Sequence, residues 1–171
     1  MTAVAFVELR RARGSRKPEL ALQDCNMAAH LRPDFYLTFI VRSGAYAEMG
    51  RCRDGLADLD RVVSFHGPPG TAAIALSQRA RLRLYCRDTA VHDPKLALAD
   101  AKQACDLVGW TKAKYIGILG VAYAANGDVD SAQNKVRCTR ARAREKGRRL
   151  GFCGKVRALT CARDGFGLSG G

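Results

Sequence analysis

Apolar residues recur at helical spacing along most of this chain, with charged and polar residues filling the faces between them. The pattern is clearest from Phe35 to Phe65, where two amphipathic segments meet at Met49-Gly50-Arg51. In the first, Phe39, Ile40, Ser43, Ala45 and Tyr46 share a face; in the second, Leu56, Leu59, Val62 and Val63 do so. Gly50 suits the position just past a helix end, where positive φ carries no Cβ penalty. A two-helix unit of this size has apolar surface on both sides and needs neighbours like itself to bury it.

Copies of the second-helix pattern occur as Ala21-Cys25-Ala28, Gly55-Leu59-Val62, Ala97-Ala101-Ala104 and Ala132-Val136-Thr139. From Ala21 to Gly55, Ala97 and Ala132 the pattern advances by 34, 42 and 35 residues. The segment Ser43–Arg51 (SGAYAEMGR) is echoed by Leu119–Asp128 (LGVAYAANGD), and both place Ala-Tyr four residues before a glycine.

The same reading sets the remaining elements. Pro18-Glu19 opens a helix running to Leu31, stopped at Arg32-Pro33. Helices are expected over 35–49, 52–65, 71–85, 94–108, 112–125 and 128–145. Asp93-Pro94 supplies an N-cap acid and a proline at the first helical position, and Gly109 ends the helix it starts. Asn126-Gly127-Asp128 is a stop followed at once by a start. Three regions follow: a poorly ordered basic leader over 1–18, a repeat array over 19–145, and a Gly/Arg/Cys-rich tail over 146–171, read either as a capping helix or as disordered.

These spacings resemble the tetratricopeptide repeat (TPR) family, whose repeat is about 34 residues with small residues at the closest helix contacts. Ala21, Cys25, Ala28 and Pro33 match the closing half of a repeat; Tyr46, Gly50, Leu59 and Val62 match a nearly whole one; Gly120, Tyr123, Gly127 and Ala132 match another. Phe39 and Ile116 stand where the family has tryptophan. The segment from Cys86 to Asp130, with ACDLVGW and AYAANGD, looks most like bacterial, planctomycete-like TPR arrays. The resemblance implies an all-α, right-handed α-solenoid of about three hairpins plus flanking helices. It also implies a concave groove lined by first helices, to which Leu37, Ile40, Gly44 and Ala47, then Ile74, Gln78 and Arg81, then Lys114, Gly117 and Val121 would contribute. For Gly44, Ala47 and Gly117 the plainer reading is packing between repeats. Such a groove suits a peptide or helix with apolar anchors and an acidic group near Arg81 or Lys114.

Charge changes this picture at the ends only. The net charge of +13 arises from +4 over 1–18 and +9 over 135–171, and the region between sums to zero. The basic tail therefore offers an alternative function, nonspecific RNA or DNA binding, although Phe152 and Phe166 are its only aromatics for stacking. No apolar run approaches the roughly 20 residues of a membrane helix. The expected setting is cytoplasmic, without membrane association.

No motif for catalysis emerges, so the expectation is a non-enzyme without cofactor or metal. His30, His66 and His92 lack partners at motif spacing, and the runs GPPG and GFGLSGG lack the flanking elements of a phosphate loop. Asp54, Asp58 and Asp60 alternate with arginines and read as a solvated helix face. Seven cysteines, none in a Cys-x-x-Cys pair, argue against a disulfide framework; Cys25 and Cys105 fall on apolar helix faces. Trp110 reads as a staple at a turn rather than a ligand platform.

Overall fold

Small side chains at the helix crossings dictate how this chain packs. The computed structural model describes residues 17–65, 67–135 and 137. Among them lie helices α1 (Pro18–Leu31), α2 (Tyr36–Glu48), α3 (Cys52–Ser64), α4 (Pro69–Tyr85), α5 (Pro94–Leu107) and α6 (Ala113–Ala125), and residues 129–135 are again helical. The described residues form no strand and are all-α, as expected. The leader over 1–16 and the tail beyond 137 lie outside the described residues.

The punctuation follows from local chemistry. Asp93 caps α5, its carboxylate accepting from the Leu96 N–H at 2.9 Å, with Pro94 in the first turn where no N–H is needed. Gly50 and Gly127 take φ of 73° and 82°, and each ends a first helix so that its partner can turn back. The helix expected at residue 71 begins earlier, at Pro69, because Pro68 and Pro69 hold φ near the helical value before the first intrahelical bond is required. Trp110 adopts φ of 59°, an unusual conformation for an aromatic residue. Its indole N–H donates to Asp106 Oδ1 at 2.9 Å, and its half-buried ring packs against the core around α5 and α6, as a staple should.

Each helix packs on the next in sequence; α2 also meets α4, and α4 meets α6. Among the described helices, α1 and α3, and α3 and α5, make no close backbone approach. The apolar interior is relayed along this order. Ala21, Cys25 and Ala45 join α1 to α2; Phe39, Leu59, Val62 and Leu82 join α2, α3 and α4; Leu76, Ala101, Ile116 and Leu119 join α4, α5 and α6. Val63 and Ile74 touch both larger clusters and make them continuous.

Two ion pairs are set into these seams. Arg42 of α2 grips Asp58 of α3 with donors at 2.6 and 2.8 Å, and Arg79 of α4 grips Asp100 of α5 at 2.6 and 2.9 Å. Asp58 and Asp100 are buried, each three residues after the small residue that opens its second-helix pattern. The reading of Asp58 as solvated is thus corrected: only its neighbours Asp54 and Asp60 face water, because the helix turns Asp58 inward toward Arg42.

Gly55 shows why the seam needs small residues. A Cβ there would lie 3.1 Å from the Ser43 carbonyl oxygen and 3.3 Å from Leu82 Cδ1, whereas one on Gly44 would meet nothing within 4 Å. Gly55→Val should therefore destabilise the protein by about 1–3 kcal/mol through overpacking. Gly44→Ala should stabilise it by up to about 1 kcal/mol through helix propensity. Urea unfolding of the two variants beside the parent tests both signs.

Candidate binding cleft

Two helix faces build a sizeable hollow. On α2, Ser43, Gly44, Ala47 and Glu48 follow the i, i+3, i+4 spacing that places them on one stripe; on α4, Gln78, Arg81, Leu82 and Tyr85 do the same. Between the stripes lies a cleft of about 260 Å³, closed at one end by Cys52 and Cys86. Its floor is small and apolar at Gly44, Ala47 and Leu82, and Tyr85 is 65% exposed at its rim. Arg81 and Glu48, both exposed, bring one charge of each sign.

Three links fix the register of this face. Ser43 Oγ bridges the Ile40 carbonyl at 2.8 Å and the Gln78 side-chain amide at 3.0 Å. Arg53 donates to Asp88 at 2.7 Å, and this guanidinium, aided by the Ala90 N–H, holds the Asp88 carboxyl below the usual carboxylate range. Cys52 and Cys86 are joined as a disulfide, with Cα atoms 6.3 Å apart. These links span 35, 35 and 34 residues, one repeat length in each case. They therefore tie equivalent places on consecutive hairpins: Ser43–Gln78 joins α2 to α4 within the helices, and the other two join the corner between α2 and α3 to the corner between α4 and α5.

The disulfide corrects the expectation drawn from cysteine spacing. A pair 34 residues apart is remote along the chain but adjacent when the chain repeats with that period. Cys25 and Cys105 are buried on second-helix faces, as expected. Burial pushes the Cys25 thiol up to about 12, so it stays protonated and unreactive at neutral pH.

The groove residues expected from the sequence divide. Gln78 and Arg81 line the cleft together with Gly44 and Ala47. Ile40 does not: it is 5% exposed and packs in the core of α2, α3 and α4, because its position on α2 faces that core. Leu37 and Ile74 are half-buried against the same core. On α6, Lys114 is exposed with its ammonium 4.6 Å from the Tyr115 ring centre, and Val121 is 41% exposed; neither reaches the cleft. Glu48, Tyr85 and the two bonded cysteines are cleft residues that the sequence reading missed. The repeat period applied to cysteine positions would have found the pair; the rim position of Tyr85 had no comparable signal.

His30 and His92 are exposed, and no cluster of metal-ligating side chains occurs among the described residues. No helix among them is long and apolar enough to cross a membrane. No protein-family model matches the chain, and neither a curated protein nor a solved structure does.

Proposed function

We propose that this chain is a right-handed array of TPR-like helical hairpins that binds a protein partner without catalysing a reaction. An extended peptide, or one face of a helix, lies along the side formed by α2, α4 and α6. The observation that carries this reading is the open space over Gly44, walled by Ala47, Arg81 and Tyr85. A flat floor of small residues accepts a backbone or a short apolar side chain, and the exposed Tyr85 ring gives an aromatic surface at low entropic cost. Arg81 favours a carboxylate on the ligand, and Glu48 selects its orientation.

The test is selection of peptides from a displayed library on the full chain, followed by affinity measurements on two variants. Gly44→Leu should fill the cleft without disturbing the fold, since a Cβ there meets nothing within 4 Å and Gly44 lines the cleft. Arg81→Glu should reverse the local charge. Each should weaken binding by about tenfold or more, the scale of one lost desolvated contact. Affinity unchanged by both substitutions would remove the groove reading. Binding that falls steeply with salt and ignores both substitutions would point instead to nucleic acid held by the basic segment 135–171. A cytoplasmic setting accords with this reading where the disulfide is exchangeable, since cytosolic disulfides are as a rule transient or redox-sensing.

A further inference from the structure

We propose that Cys52–Cys86 is a thiol–disulfide exchange site, open to a cysteine-bearing peptide or small thiol that enters the cleft. The bond lines the cleft rather than lying beneath the core. Its two sulfurs are unequally placed. Cys52 begins α3 and is 6% exposed, while Cys86 follows the end of α4 and is half-buried beside exposed Tyr85 and Arg87. An incoming thiolate therefore reaches Cys86 first. Arg81 within the cleft and Arg87 at the corner outnumber the cleft carboxylate of Glu48, which favours the anionic nucleophile.

The step balances without an outside oxidant. The thiolate sulfur bonds to Cys86 Sγ, the Cys52–Cys86 bond breaks, and its electron pair leaves on Cys52 Sγ, which takes a proton from water. The product is a mixed disulfide between Cys86 and the entering thiol, with Cys52 as a buried thiol in place to attack it and restore the original bond. A second equivalent of the thiol instead releases the adduct as a symmetrical disulfide and leaves both cysteines reduced. The Asp88 N–H lies 3.4 Å from Cys86 Sγ, so in the reduced pair it stabilises the Cys86 thiolate, the form that attacks a disulfide on the return path. Because the bond ties two hairpin corners, exchange frees one end of the cleft while the Ser43–Gln78 and Arg53–Asp88 links persist.

The proposal rests on the peptide-groove reading for the carrier of the thiol, but a small thiol tests it independently. In the full chain with Cys138→Ser, Cys153→Ser and Cys161→Ser, reduced glutathione should convert the disulfide to the dithiol through an adduct mapped to Cys86. Adding Cys52→Ser should leave Cys86 to form its adduct with oxidised glutathione at least about tenfold faster than Cys52 does in the Cys86→Ser protein, as thiol access sets the rate. Intact-mass and peptide mapping read both results, with circular dichroism to establish that the variants are folded. If either variant is unfolded, the adduct position in the protein retaining both cysteines decides. Equal or reversed rates, an adduct on Cys52, or Cys52 and Cys86 both found as thiols in protein purified without reductant would overturn the proposal. Peptide binding unchanged by both Gly44→Leu and Arg81→Glu would remove the groove and leave the exchange site standing.

Discussion

Asp100→Ala is expected to lower the unfolding free energy by about 3–5 kcal/mol, the range for stripping a buried ion pair of one partner. Asp100 is 4% exposed and accepts from two arginines of α4: Arg79 at 2.6 and 2.9 Å, and Arg83 through the oxygen it shares with Arg79. Both guanidinium groups are largely withdrawn from water, with side chains 15% and 13% exposed. Alanine would leave two cations facing each other at the α4–α5 seam. Asp60, half exposed, would still hold one arm of Arg79 but nothing of Arg83. Asp58→Ala should have a smaller effect, because it strands one cation, Arg42, which keeps a bond to Asn26 at 3.0 Å. Urea unfolding followed by far-UV circular dichroism tests the order. A smaller loss for Asp100→Ala than for Asp58→Ala would mean that desolvated positive charge is not what the carboxylates hold in check.

These carboxylates also show where sequence legibility ended. Helix boundaries were readable because caps and breakers act over a few residues: Asp93-Pro94, Gly50 and Asn126-Gly127 each work through their own backbone. The apolar faces were readable too, and Cys25, Leu59, Ala101 and Leu119 all lie in the interior. Asp54 and Asp58 lie one turn apart on the same face of α3 and look alike in a window of alternating charges, and only the contact of Asp58 with Arg42 of α2 distinguishes them. The same holds for Ile40. Its apolar character fits either a groove or a core, and it shares its stripe of α2 with Gly44 and Ala47; its place one to two turns nearer the start of the helix, where the core of α2, α3 and α4 covers it, decides. The second-helix repeat was visible in small residues, but its most direct structural expression, the links across 34 and 35 residues, joins side chains whose proximity appears only after the hairpins stack.

Removing that covalent link by the double substitution Cys52→Ala and Cys86→Ala is expected to cost about 3–4 kcal/mol in the chain-entropy model. The bridged cysteines are 34 residues apart, so opening the ring gives the unfolded chain substantially more freedom. The native state loses little packing, since Cys52 already sits at an edge of the α2–α3–α4 core and Cys86 is half-buried. The urea dependence should steepen together with the loss, because an unfolded chain without the link exposes more surface. Dithiothreitol should shift the parent by a similar amount and leave the double variant unmoved. Within the native state the change should be local. A chain whose helices touch only near neighbours transmits strain poorly, and α6 makes no close backbone approach to α2 or α3. Hydrogen exchange should therefore quicken around the start of α3 and the α4–α5 connection while α6 keeps its protection. Equal loss of protection in α6 would show that the molecule opens as one unit, and the hairpins could not then be treated as separable repeats.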